Sequence, residues 1–306
     1  MYPVFLLIAP FFGVILMGYL FAKLKIAGLE WTNTLNSYVV RIGFPSVIFY
    51  SLAKSPIKFA EHYQLLLINS LYLIICFLLA LAISHAFHLS KQLRRTLFIC
   101  LPYGNVAYLG LPILTEVFGE QIVPQASLLI SIYLIWTFSV GIFYLEKTAK
   151  PTIDYKSLFG GLFKNPLLIG VMLGIAASFF KLSADGVFLK IFDIIGKSTT
   201  PVIMISLGIF ISQVKFGHWR DWITILFFSI TKIMVLPAVF ILLLFILKVN
   251  GNANLPSVLE AAMPFALTPY ALAGVYDLDK NFITKTIVMS TILSVISLPF
   301  WSVIFK

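Results

Sequence analysis

Leu101–Leu114 reads LPYGNVAYLGLPIL and lies inside an apolar run, residues 95–118, long enough to cross a bilayer as a helix. It places two prolines, two glycines and an asparagine at the depth where a spanning helix least tolerates broken backbone. Pro102 and Pro112 lack an N–H, and Gly104 and Gly110 relax the helix, so carbonyls near Asn105 lose their intrahelical partners. In hydrocarbon each unsatisfied group costs several kcal/mol, so such a break survives only where protein or a water-filled cavity covers it. The stretch is therefore a candidate binding site. A second stretch of the same character, Met263–Ala273 (MPFALTPYALA), follows later in the chain.

The surrounding composition sets the class. The 306 residues are 60% hydrophobic and 11% charged, with mean hydropathy +1.00, which a water-soluble domain could not sustain on its surface. The expected fold is an all-α polytopic membrane protein. Apolar runs give spans near 3–22, 33–53, 63–87, 95–118, 124–145, 164–181, 187–212, 221–247, 255–277 and 282–305. The first has no basic residues ahead of its apolar core, so it reads as a retained span and not as a cleaved signal peptide.

Net charge is +10, but the basic residues are scattered over short loops and form no continuous stripe for nucleic acid. They read as orientation charge. Thirteen Lys and Arg fall in the odd-numbered loops and six on the opposite side, so the odd loops are expected in the cytoplasm and both termini outside. Cys76 and Cys100 sit in apolar runs without CxxC spacing and read as buried free thiols.

The longest connection, residues 146–163, bisects the chain and invites comparison of the halves 1–145 and 164–306. Ala9-Pro10 with Gly18 is echoed by Asn165-Pro166 with Gly174, a shift of 156. Arg41-x-x-x-Pro45 and Ser51-Leu52 are echoed by Lys197-x-x-x-Pro201 and Ser206-Leu207 at about the same shift, and Pro112 by Pro269 at 157. With five spans per half, the second copy must enter the membrane from the opposite side. The expectation is ten helices in a 5+5 inverted repeat, with helices 4 and 9 broken, which is the arrangement of secondary transporters with a site near the midplane.

Half-helix N-termini aim unpaired N–H groups and a positive dipole end at the break, which favours an anion such as a carboxylate. The polar side chains inside the breaks are Tyr103, Asn105 and Tyr108, then Thr268 and Tyr270. Asn105 is the sharpest: its amide offers donors and an acceptor, either to a ligand or as a cap on a half-helix. The tyrosines also suit packing or interface anchoring. Arg41, Lys197 and Lys232 lie within spans and their roles stay open. Glu116, Glu120, Glu260, Asp277 and Asp279 fall near span ends, where solvated heads are expected, and His85 with His88 reads as an interfacial pair.

No P-loop, HExxH, GxSxG or CxxC occurs, so nothing favours an ATP-driven pump, a catalytic site or a metal site, and no cofactor is called for. A membrane-embedded receptor for an organic acid, or an anion channel, would use similar breaks. Membrane potential suffices to export an anion; import needs coupled Na+ or H+, and no ion site stands out in the sequence.

Asn105-Val-Ala-Tyr-Leu-Gly-Leu-Pro112, Ala261-Ala-Met-Pro264 through Pro269 to Ala273 and Tyr276, Lys164-Asn-Pro166, and Ser206-Leu-Gly208 together resemble the auxin efflux carrier family. Its members include plant auxin exporters and bacterial carriers of dicarboxylates such as malate or malonate. The resemblance implies that helices 4 and 9 cross at Pro112 and Pro269, with Gly104, Gly110 and Pro264 completing the crossover backbone. It also implies that Asn105 reaches a substrate carboxylate, with help from the second span around Pro45–Ser51, so Ser51 joins Asn105, Tyr108, Thr268 and Tyr270 as a candidate contact. Helices 1, 2, 6 and 7 would form a scaffold that usually dimerises, and helices 3–5 and 8–10 a unit that moves like an elevator. The expected protein is then a homodimeric carrier of a small organic anion in an inner or plasma membrane. This chain departs from the plant branch in lacking a long central loop, which makes auxin a poor candidate, and in having Gly104 where plant members have proline.

Overall fold

The computed structural model describes residues 2–54, 59–149, 160, 163–180, 186–214 and 219–304. The described backbone is helical, and at four places the ladder widens into a one-turn π segment. In chain order the helices are α1 (Tyr2–Lys23), α2 (Leu29–Tyr38) running through the π turn Val39–Gly43 into α3 (Phe44–Lys54), and α4 (Phe59–Ala86). Next come α5 (Lys91–Cys100), the π turn Val106–Gly110 with α6 (Leu111–Phe118), α7 (Val123–Trp136), the π turn Thr137–Gly141 and α8 (Ile142–Ala149). The second half has α9 (Pro166–Phe179), α10 (Val187–Ser212), α11 (Trp219–Ile230), the π turn Thr231–Val235, and α12 (Leu236–Ile246). It closes with α13 (Leu255–Ala261), α14 (Thr268–Tyr276) and α15 (Lys280–Trp301).

Among the described residues, six helical stretches are long and apolar enough to cross a membrane, and the chain is a multi-pass membrane protein. Large apolar side chains such as Phe179, Phe245 and Ile296 stand at least 70% exposed, as a lipid-facing surface allows and a soluble one does not. Local starts follow side-chain chemistry. The Ser90 hydroxyl accepts from Leu93 N at 3.2 Å, Asn165 Oδ1 from Leu167 N at 2.9 Å with Pro166 opening the helix, and Asp279 Oδ1 from Phe282 N at 2.9 Å.

Two packing groups result. In the first, α1 lies along α10, and α9 and α10 both pack on α3. Glycines permit the close approach: a Cβ at Gly18 would collide with the Ile205 carbonyl, and one at Gly174 would lie 2.7 Å from Leu52 Cβ and 3.2 Å from Phe49 Cα. In the second group, α4 packs on α5, α7 and α12, α11 packs on α15, and α14 reaches α5 and α15. α1 with α6 and α15, and α3 with α7, join the groups.

The expected connection 146–163 begins later than its sequence suggests. α8 continues through Ala149, and Glu146 is fully buried, accepting from Tyr276 Oη at 2.8 Å, because a carboxylate with a buried hydroxyl partner tolerates the helix interior. Most of that connection, with the orientation charges Lys58, Lys150, Lys156, Lys181, Lys215 and Lys306, lies outside the described residues. Cys76 and Cys100 are buried free thiols.

Candidate functional site

Both stretches expected to break do so, and the breaks meet. α5 ends at Cys100 and α13 at Ala261; beyond them Gly104 and Phe265 pair in an isolated antiparallel bridge, and Asn105 N donates to the Pro264 carbonyl at 2.7 Å. The interrupted ladders are repaired from neighbouring helices. Phe265 N donates to Ser290 Oγ at 3.1 Å, and Lys232 Nζ donates to the Leu101 carbonyl at 3.1 Å. Gly104 leaves room for this: a Cβ there would stand 3.2 Å from Met263 Cβ and 3.3 Å from Lys232 Nζ.

The meeting point lies ahead of Pro112 and Pro269 and not at them. Pro269 sits in the first turn of α14, where a missing N–H has no intrahelical acceptor to lose, whereas Pro112 follows the π turn Val106–Gly110, with which the helix has already resumed. The extended residues that make the contact belong to Gly104 and to Pro264-Phe265.

Asn105 is 2% exposed, and its Nδ2 has no hydrogen-bond partner. It precedes the π turn Val106–Gly110 yet its side chain makes no capping bond; its carbonyl accepts from Leu109 N and Gly110 N at 3.1 and 2.9 Å. The amide instead borders a cavity of about 110 Å³ with Tyr103, Gly104, Tyr108, Thr268 and Asn165 around it. Tyr108 also stacks on Phe44, ring centroids 5.5 Å apart. Asn105, Tyr108 and Thr268 are thus brought together, whereas two other candidates lie elsewhere. Ser51 borders a different cavity of about 410 Å³ along α3, shared with Lys54, Pro112, Thr115 and Lys197. Tyr270 borders neither cavity: it is 39% exposed and meets Phe210 edge-on at 5.3 Å, because the turn after Pro269 points it out of the crossing.

Two ionisable side chains are fully buried beside the crossing, Lys232 and Glu260. Glu260, expected near a solvated span end, is in the protein core because α13 is a half-helix whose last turn runs into the crossing. Neither of its carboxyl oxygens has a hydrogen-bond partner, and a Cβ at Gly110 would stand 2.5 Å from Oε2, so the carboxyl rests directly on the π turn. Its spacing from Pro264 was the available sequence signal. Arg41 is exposed, and exposed Lys197 pairs with Asp193 at 2.7 Å. Arg95 and Lys285, counted as loop charges, are buried and pair with Asp277 at 2.5 Å and Asp221 at 3.0 Å, since their long stems pack inward while the acidic partners stay exposed. Among the described residues no group of three or more His, Cys, Asp or Glu is arranged to hold a metal ion.

A lipid-facing helical body enclosing two crossed half-helices and an unpartnered amide has the form of a membrane carrier. The family model described as "Membrane transport protein" matches residues 3–158 and 154–302, and the chain belongs to that family, the auxin efflux carriers. Relatives at similar length include an "Uncharacterized transporter" of Methanocaldococcus jannaschii, 28% identical over 300 residues that cover 94% of each chain. A second "Uncharacterized transporter", of Methanothermobacter thermautotrophicus, is 27% identical over 95% of each. A "Putative malonate transporter" of Rhizobium meliloti is 22% identical over 94% of this chain and 92% of its own.

Proposed function

We propose that the chain is a secondary carrier of a small organic anion, a carboxylate or dicarboxylate such as malonate or malate, working by alternating access at the crossing of the two broken helices. The observation that carries the reading is the unpartnered amide nitrogen of Asn105 beside the crossing cavity. A buried donor without an acceptor is costly unless a ligand supplies one, and the N-terminal ends of the π turn at Val106 and of α14 at Thr268 add positive dipole ends for a carboxylate. Tyr108 and Thr268 complete the near contacts. The name of the Rhizobium meliloti relative supports the dicarboxylate class.

Residues 1–145 and 164–306 form five-helix repeats of opposite orientation joined by a cytoplasmic linker. What supports this is reciprocal packing at the shift of 156: Gly18 meets Ile205, and Gly174 (18 + 156) meets Phe49 (205 − 156). The group built on α1, α3, α9 and α10 is the scaffold and dimerises; the group built on α4–α8 and α11–α15 carries the crossing and moves against it as an elevator. The protein resides in an inner or plasma membrane with both termini outside.

Counterflow in proteoliposomes tests the function. Vesicles loaded with unlabelled malonate should take up labelled malonate transiently against its gradient, and malate should compete. No counterflow with any small mono- or dicarboxylate would leave a receptor, and uptake that never saturates would indicate a channel.

A further inference from the structure

We infer that Glu260 is the residue on which a coupling proton rides, so that the carrier moves its anion together with H+. The inference rests on the carrier reading above. Glu260 is fully buried at the end of α13, and neither carboxyl oxygen has a hydrogen-bond donor. An ionised carboxylate in such a place would forgo both hydration and hydrogen bonding, and an intramembrane carboxyl of this kind persists by carrying a proton or by serving a transport pathway.

The groups around it are few. Lys232 faces it from the π turn Thr231–Val235, Tyr133 from α7 and Tyr103 from the first break. Of the other elements on α13, α12 has no titratable side chain, the π turn Val106–Gly110 has only Tyr108, which stacks on Phe44, and α15 has only Lys280 and Lys285, the latter bonded to Asp221 at 3.0 Å. Lys232 does not neutralise Glu260 directly: its ammonium donates to the Leu101 carbonyl at 3.1 Å, and neither Glu260 oxygen accepts a hydrogen bond.

The link to the anion is mechanical and short. The Glu260 carboxyl lies on Gly110, the last residue of the π turn whose first carbonyl partner is Asn105. While Glu260 holds its proton, the carboxyl packs there as a neutral group. Losing the proton creates a charge that must find water or draw Lys232 off Leu101, and either movement disturbs the turn that aims Asn105. One proton taken up by Glu260 on one side and released on the other, with Lys232 keeping all three of its ammonium hydrogens, lowers the transported negative charge by one.

The test uses wild type, Glu260→Gln and Glu260→Asp in proteoliposomes with labelled malonate, plus infrared spectra of each purified protein. Wild type should accumulate malonate when the interior is made alkaline. Glu260→Gln, melting like wild type, should lose the response to the pH gradient, and the titratable Glu260→Asp should keep it. A Gln variant that responds as wild type does, a wild type indifferent to the pH gradient, or accumulation driven by a Na+ gradient alone would overturn the inference. Counterflow by wild type at equal pH judges the anion reading separately. Should malonate give none, the infrared comparison still decides: a protonated-carboxyl band present in wild type and lost in Glu260→Gln supports the proton site, and identical spectra overturn it.

Discussion

Lys232 Nζ donates to the carbonyl of Leu101, 131 residues away, and so closes the ladder of the first broken helix from the π turn Thr231–Val235. The bond accounts for a lysine at full burial within an apolar run: the break needs a donor that its own backbone cannot provide. Lys232→Met removes that donor and leaves a buried carbonyl unsatisfied, at a cost of about 1–3 kcal/mol. The expected outcome is a lower melting temperature in detergent together with weaker transport; melting unchanged from wild type would show that the bond contributes nothing.

Asn105 separates binding from folding. Its side chain makes no capping bond and its Nδ2 has no protein partner, so Asn105→Ala should melt close to wild type. Loss of a hydrogen bond to a charged ligand corresponds to about 1.5–3 kcal/mol, or roughly 10- to 100-fold in affinity. Titration of malonate by calorimetry checks this, and equal affinity in the variant would place the anion elsewhere.

Gly110 is occupied by its neighbour. A methyl group there would stand 2.5 Å from Glu260 Oε2, so Gly110→Ala must push the carboxyl or the π turn aside. Overpacking of this kind costs about 1–3 kcal/mol. Transport should fall more than stability, as read from counterflow rate against melting temperature; the two falling in proportion would mean a general packing defect.

Gly208 plays the corresponding part between α1 and α10, where a Cβ would collide with the Ile15 carbonyl. Gly208→Val should lower the melting temperature and leave malonate affinity per folded molecule unchanged, because the contact lies away from the crossing cavity. Affinity falling with stability would show that the two packing groups are not independent.

Arg95 and Asp277 form a bond of unequal burial, with side chains 10% and 70% exposed. Water around the aspartate screens the pair, so a double-mutant cycle with Arg95→Met and Asp277→Asn should return about 0.2–1 kcal/mol of coupling. A coupling near zero would assign Arg95 to its backbone acceptors, the Thr148 and Asp277 carbonyls, both at 3.2 Å.

The membrane class, the two broken segments and the candidacy of Asn105 were legible in the chain itself. Their signals are local: apolar runs of spanning length, and Pro or Gly where an intrahelical bond must be lost. The tertiary structure alone decided where the breaks touch. Prolines report a missing N–H and not a contact: Pro269 falls in the first turn of α14 and Pro112 beyond the π turn with which its helix resumes, so neither marks where the extended residues meet. It alone removed Ser51 and Tyr270 from the crossing cavity, since a side chain's direction depends on the turn of its helix against neighbours distant in sequence. Glu260 shows the difference most sharply. By spacing it belonged to a span end and to water; by folding, the half-helix that carries it ends inside the protein, and its carboxyl rests against Gly110 at the crossing.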